Sequence, residues 1–407
     1  MKSTAVLSLG ITALSAFAAA MVQAQPVICS GRWCNPYYFA VGTDPTGVAL
    51  GDFDGDRWTD IAVAVKGDDK VTILTNSGGD AKFDPPVDIA LAGGSAPHSI
   101  AAVDIDNDQD LDLVVTRSGM DDVQLLTNTG GAFSLGATTV VGGTLPSDLA
   151  VGDIDDNGFM DVATSNRSSS DVSVLLNTAG VLAGGVTYAV GAEPRGLALA
   201  DLDGEGSLDM AVASVTTGAV DILINDGNGL LVLDSSLPVG TNLSPNGDVA
   251  TGDFNADQKN DIAVVTTGSA GDFATIFLNL GAAGFGAPSH FESDEDHPVN
   301  DTGSPTALAA GDYDLTGTVD LVLTNLDSNR MGNLQGDGTG VFGKPNLVRV
   351  LETPVDIVAG DVDGNGSDDL ITANQGAGNV GVLVNSFVFF ADGFEWGDTW
   401  AWSDEVQ

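Results

Sequence analysis

The stretch that decides the fold is Gly51–Val65, GDFDGDRWTDIAVAV. Asp52, Asp54, Asp56 and Asp60 fall within nine residues, and an apolar run follows at once. Carboxylates this close repel one another, so a turn that retains them needs a physical reason. The device recurs six more times. The first aspartates of the copies are Asp52, Asp104, Asp153, Asp201, Asp253, Asp312 and Asp361, spaced by 52, 49, 48, 52, 59 and 49 residues. A period of this length over most of the chain marks a repeat architecture rather than independent domains. A proline lies seven residues before the first aspartate in six copies (Pro45, Pro97, Pro146, Pro194, Pro305, Pro354) and eight before it in the fifth (Pro245).

Each copy reads as four strands. A short apolar strand such as VALGDF enters the acidic loop, and a second such as DIAVAV leaves it. A third ends in Asn (VTILTN, VQLLTN, VSVLLN, VDILIN, ATIFLN, VGVLVN), and a variable fourth such as PVDIALAG follows. Seven units of four strands predict an all-β, seven-bladed β-propeller. The seventh unit has no repeat-like fourth strand after Asn385, whereas an orphan strand, PYYFAVG (Pro36–Gly42), precedes the first. That N-terminal strand is expected to complete the seventh blade and close the ring, which removes an open sheet edge. The sixth unit departs from the pattern in its third strand, NRMGNLQG, and an irregular blade is expected there.

Bulk composition agrees. The chain has 407 residues, 57 acidic and 13 basic, for a formal net charge of -44. This excludes electrostatic binding to nucleic acid and argues against docking on anionic lipid. A hydrophobic content of 43% argues against disorder, and 53 glycines suit short strands joined by tight turns.

In each acidic loop, side chains able to offer oxygen fall at positions 1, 3, 5 and 9. These are Asp52/Asp54/Asp56/Asp60, Asp104/Asp106/Asp108/Asp112, Asp153/Asp155/Asn157/Asp161 and Asp201/Asp203/Glu205/Asp209 in the first four copies. They are Asp253/Asn255/Asp257/Asp261, Asp312/Asp314/Thr316/Asp320 and Asp361/Asp363/Asn365/Asp369 in the last three. Position 7 varies (Trp58, Asp110, Phe159, Ser207, Lys259, Thr318, Ser367), which fits a backbone carbonyl ligand. Ca2+ takes six to eight oxygens in flexible geometry, and alternate positions of a tight loop can supply them. Zinc and copper favour His or Cys, which these loops lack. An EF-hand would carry Glu at position 12 between helices; here position 12 is apolar or small and strand-like runs flank the loop. The alternative is a solvated acidic hairpin turn. With calcium, the sixth loop is expected to bind most weakly, because Thr316 replaces a carboxylate. These positions hold 24 of the 57 acidic residues, so seven Ca2+ would bring the formal charge from -44 to -30.

The seven units resemble FG-GAP (VCBS-type) repeats, the units of integrin α-subunit propellers and of many bacterial secreted proteins. The resemblance covers roughly residues 36–385, and GFGAP (Gly284–Pro288) and GVFGKP (Gly340–Pro345) are close to the motif's name. It implies that the acidic loops join first and second strands on one face of the ring. It also implies that partners engage the other face, at loops such as KGDDK, RSGMDD, NRSSSD, AEPRG and TNLDSNRM.

The remaining segments lie outside the repeat. Residues 1–24 read as a secretory signal: Lys2, an apolar stretch from Ala5 to Met21, and a Val22-Gln23-Ala24 cleavage site, with a membrane anchor as the alternative. In residues 25–35, Cys29 and Cys34 would pair in an oxidising compartment; half of a metal site is the other option, with no second Cys or His pair to complete it. The long fifth-to-sixth spacing contains HFESDEDHPVNDTGSP (His290–Pro305). With His290, His297, Glu292, Asp294, Glu295, Asp296 and Asp301 it is either an extra ligand site or a solvated loop. The tail, residues 387–407, carries Trp396, Trp400 and Trp402 and is similar to a short DGFE-x-GD-x-x-x-WS ending of secreted Gram-negative proteins. It would serve as a sorting tag, pack on the propeller or form an association patch.

Catalysis finds little support. There are three histidines, and no nucleophile elbow, HExxH helix or phosphate loop occurs. The expectation is a secreted, periplasmic or surface-exposed, non-catalytic module of a Gram-negative bacterium that binds an extracellular glycan or protein. The alternatives are a polysaccharide lyase or hydrolase on the same scaffold and a structural envelope protein. After signal cleavage no span remains, and oligomeric state is not legible.

Overall fold

The computed structural model describes residues 36–78, 81–269, 271–294 and 304–386. The signal, the Cys29/Cys34 segment and the aromatic tail lie outside the described residues. No helix among the described residues is long and apolar enough to cross a membrane.

Among the described residues the chain forms seven four-stranded antiparallel sheets, six of them with their strands following one another in chain order. In blade 1 the strands are Pro45–Gly51, Asp60–Val65, Lys70–Leu74 and Val87–Ala90. The inner strands of the others are Pro97–Val103, Pro146–Gly152, Pro194–Ala200, Leu243–Gly252, Pro305–Gly311 and Pro354–Gly360. Each inner strand packs beside the next, and that of blade 7 beside that of blade 1, so the ring is closed. The seventh sheet is completed from the N-terminus: Tyr37–Ala40 pairs antiparallel with Asn379–Leu383, Tyr37 opposite Val382 and Ala40 opposite Asn379. Phe39 of that strand meets Phe83 of blade 1 edge-on at 5.0 Å between ring centroids, a second tie across the closure.

The core lies between blades, which explains the apolar runs. Asp60–Val65 is buried at every position. Ile61, Val63 and Val65 pack against Ile371, Ala373, Val380 and Val382 of blade 7, while Ala62 and Ala64 face Leu113 and Val115 of blade 2. Strands covered on both faces lose the polar alternation of a half-exposed sheet. Five further clusters repeat this between the remaining neighbours.

The expected irregularity of blade 6 is not found. Arg330–Leu334 pairs in register with Asp320–Asn325 and with Asn346–Arg349. Backbone ladder bonds do not require the repeat's side chains, and Met331 and Leu334 fill the apolar positions. The start of the insertion also belongs to the sheet: Ser289–Glu292 is the outer strand of blade 5, with His290 Nδ1 2.9 Å from Thr275 Oγ1. Asp294 pairs with Arg330 at 3.5 Å. Residues 295–303, including Glu295, Asp296, His297 and Asp301, lie outside the described residues.

Every inner strand opens with a register shift between its first residues and the ladder that follows. In six blades the residue before the entry proline is left-handed (Asp44, Ala96, Leu145, Glu193, Ser304 and Thr353). Its carbonyl accepts an N–H from the residue after the second strand, as Lys66 N to Asp44 O at 2.9 Å. This kink turns the chain from the rim of one blade to the axis of the next.

Candidate metal centres

Each acidic loop leaves the inner strand at the same end, so all seven lie on one face. Positions 4 and 6 are left-handed in every copy, from Gly55 and Arg57 (φ 78° and 77°) to Gly364 and Gly366 (φ 76° and 83°). Non-glycine residues occupy several of these positions, among them Ala256, Gln258 and Leu315. Such residues adopt this conformation only where surrounding bonds hold them. The bonds come from position 1. Its carboxylate accepts the position 6 N–H at 2.7–3.0 Å in six loops: Asp52 from Arg57, Asp104 from Gln109, Asp153 from Gly158, Asp253 from Gln258, Asp312 from Gly317 and Asp361 from Gly366. In the fourth loop Asp201 accepts from Gly204 at 2.7 Å. Position 5 accepts the N–H of position 7, as Asp56 from Trp58 at 2.9 Å and Asn157 from Phe159 at 2.8 Å.

The loops gather carboxylates. In Asp52/Asp54/Asp60, Asp104/Asp106/Asp108, Asp153/Asp155/Asp161, Asp201/Asp203/Asp209 and Asp312/Asp314/Asp320, one oxygen per residue lies within 4.8 Å of the others. Burial and the charges of Asp54 and Asp56 push Asp60 up to about 6. Asp369 is pushed up to about 7, chiefly by burial and then by Asp363 and Asp361. Asp112, Asp161, Asp209 and Asp261 move in the same direction for the same reasons. In the third loop Asp155 Oδ1 is buried without a hydrogen-bond partner. An all-oxygen donor set with raised carboxyls and an orphaned buried oxygen fits a hard divalent cation, and these clusters could hold one each.

The fifth loop departs from this at Asn255, the predicted position 3 ligand. Asn255 offers an amide oxygen at position 3 in place of a carboxylate, so it brings an oxygen without a charge. Its Oδ1 accepts the N–H of Asp257 at 3.0 Å, the bond that Asp54 makes with Asp56 at 3.1 Å in the first loop. Asn255 therefore preserves the shape of the turn, and the charge of that loop rests on Asp253, Asp257 and Asp261. Lys259 Nζ binds Asp257 Oδ2 at 2.7 Å and offsets one of those charges.

The other predicted positions serve in different ways. Glu205 accepts from Ser207 Oγ at 2.6 Å, and Thr316 Oγ1 donates to Asp314 at 2.5 Å. Thr318 Oγ1 donates to Gly336 O, and Asp110 accepts from Gly130 N. Asn365 Nδ2 donates to Asn385 O at 2.8 Å. The Trp58 ring covers Gly364 of blade 7, where a Cβ would fall 2.3 Å from Cζ3.

Position 9 has a second role. Its buried carboxylate accepts the N–H of position 2 at 2.8–3.4 Å in six loops. It also accepts the N–H that ends the third strand, at 2.6–2.9 Å in all seven. That strand-ending residue is Asn76, Asn128, Asn177, Asn225, Asn279, Gly336 or Asn385. The six asparagines each donate Nδ2 to the position 2 carbonyl of the preceding blade at 2.7–2.9 Å. In blade 6, Gly340 N reaches Phe254 O at 2.9 Å instead. The recurring Asn was visible in the sequence, but its cross-blade partner was not.

The fold and loops define a closed seven-bladed propeller with one acidic loop per blade. Three stretches of this propeller, residues 52–115, 104–164 and 201–264, match the FG-GAP-like repeat family. No curated protein matches the chain. Solved structures share the fold. Hydrazine synthase of Kuenenia stuttgartiensis aligns at 15% identity and TM-score 0.61, over 85% of this chain and 97% of that one. A Lactobacillus plantarum protein aligns at 15% and 0.59, over 78% and 88%. An Agrocybe aegerita lectin that recognises non-reducing terminal N-acetylglucosamine aligns at 21% and 0.53, over 82% and 86%.

Proposed function

We propose that the protein is a secreted, calcium-stabilised propeller that acts as a non-catalytic binding module for an extracellular glycan or protein. The observation that carries this reading is the sevenfold recurrence of one loop geometry, left-handed at positions 4 and 6, with carboxylates converging in the first four loops and the sixth. Calcium would be held by positions 1, 3, 5 and 9 with the position 7 carbonyl, where it neutralises charges that otherwise oppose closure of the turn. The rigid ring then presents the second-to-third and fourth-to-first loops on the opposite face. The glycan reading is compatible with the fold shared with the fungal lectin, and the signal-like residues 1–24 support export.

Native mass spectrometry with a calcium titration tests the first half. Up to seven ions are expected, with Asp153→Ala plus Asp155→Ala removing one. Fewer than three ions would overturn the assignment. A glycan array with and without chelator tests the second half, and binding that survives only with calcium is expected.

A further inference from the structure

At the end of the ring away from the acidic loops, a cavity of about 380 Å³ lies on the axis and is lined by all seven inner strands. One aliphatic residue per blade, from Val48 to Ile357, forms an apolar girdle. Beside it, five residues before the first loop aspartate, blades 3, 5 and 7 carry Asp148, Asp248 and Asp356. The same position holds Gly47, Ser99, Gly196 and Ala307 in the other blades. Four blades therefore close with a small residue there, and a carboxylate is not a requirement of the repeat at that position.

Each carboxylate is half-buried, and each accepts backbone donors, Asp248 from Leu308. Asp148 accepts Leu149 N at 2.8 Å, Leu197 N at 3.0 Å and Ser99 Oγ at 3.1 Å. Asp356 accepts Val48 N at 2.8 Å and Ile357 N at 2.9 Å. Burial raises all three, and the charges of Asp148 and Asp356 raise Asp248 further. Carboxylate oxygens have spare lone pairs after one bond, so the trio can receive a further donor. An independent feature of the same cavity is Arg195. Its guanidinium binds Asn246 Oδ1 at 2.8 Å, yet its Nε is buried without a partner and can donate to a ligand oxygen.

We propose that the axial cavity binds a small polar ligand through a protonated amine placed among Asp148, Asp248 and Asp356, with an oxygen acceptor toward Arg195. A hexosamine with a free amine has this chemistry, and the apolar girdle suits the C–H face of a sugar ring. An ammonium offsets the mutual repulsion of these acids, whereas a neutral sugar leaves that repulsion in place. The inference deepens the reading of a binding module and does not depend on calcium in the loops.

The test is isothermal titration calorimetry of the calcium-saturated chain with glucosamine, glucose and N-acetylglucosamine. One glucosamine per chain is expected, with both neutral sugars weaker by about tenfold or more. Asp248→Asn and Asp356→Asn are each expected to weaken glucosamine by about tenfold. The comparison among the three sugars needs no variant. Equal affinity for all three, no binding of glucosamine, variants that bind like the parent, or displacement by added Ca2+ would each overturn it. A calcium count near seven with no amine binding would sink this inference alone and leave the propeller reading standing.

Discussion

Asn76 Nδ2 donates to the carbonyl of Val362 at 2.8 Å across 286 residues of sequence, and so joins the first blade to the last. The same residue's backbone N–H binds Asp60 Oδ1 at 2.7 Å. One asparagine thus ties together a third strand, the acidic loop of its own blade and the loop of the preceding blade.

Asn76→Ala removes that donor and leaves a buried carbonyl unsatisfied, so a loss of about 1–3 kcal/mol is expected. Urea unfolding monitored by intrinsic fluorescence checks it. Asn128→Ala breaks the equivalent bond between blades 1 and 2 and is expected to cost a similar amount. No change in either midpoint would show that the asparagines do not hold the ring.

Chelation should lower the melting temperature by more than about ten degrees, because each site filled at a hundred times its dissociation constant contributes about 2.7 kcal/mol. Scanning calorimetry with and without EDTA measures this. An unchanged melt would remove calcium from the account of stability.

Asp356 provides a pH signature. Its pKa is raised from 3.8 to about 6, by burial. Between these values the folded chain holds a proton that the unfolded chain has released. The group's contribution to stability is therefore complete at low pH and is lost as pH rises through about 6. Asp356→Asn does not titrate, so its stability relative to the parent should improve by about 2 kcal/mol from pH ~4.5 to pH ~7.5. Urea midpoints at constant saturating calcium give the two slopes, and equal slopes would refute the shift.

Gln258 is exposed and left-handed at φ 67° in the fifth loop. Gln258→Gly relieves that conformation and should stabilise the protein by about 0.5–1 kcal/mol, read as a higher melting temperature. Gly364→Ala should do the reverse, because its φ is 76° and the new Cβ would strike Trp58.

Much of this architecture was readable from the chain. The spacing of the acidic runs, the apolar strands around them and the orphan PYYFAVG specify seven blades and a closure from the N-terminus, since repeats and strand patterning are local properties. The acidic loops were legible for the same reason: all their oxygens sit within nine residues. NRMGNLQG misled because a departure in side chains was taken for a departure in backbone, and the ladder bonds of blade 6 do not depend on them.

The sequence by itself determined the repeat, its strands and the composition of its loops, because these depend on residues close together in the chain. Only the tertiary structure decided what the strand-ending asparagines bind, that Trp58 covers Gly364, and that Asp148, Asp248 and Asp356 share one axial cavity. Those partners lie one or more blades apart, and the closure of the ring brings them together.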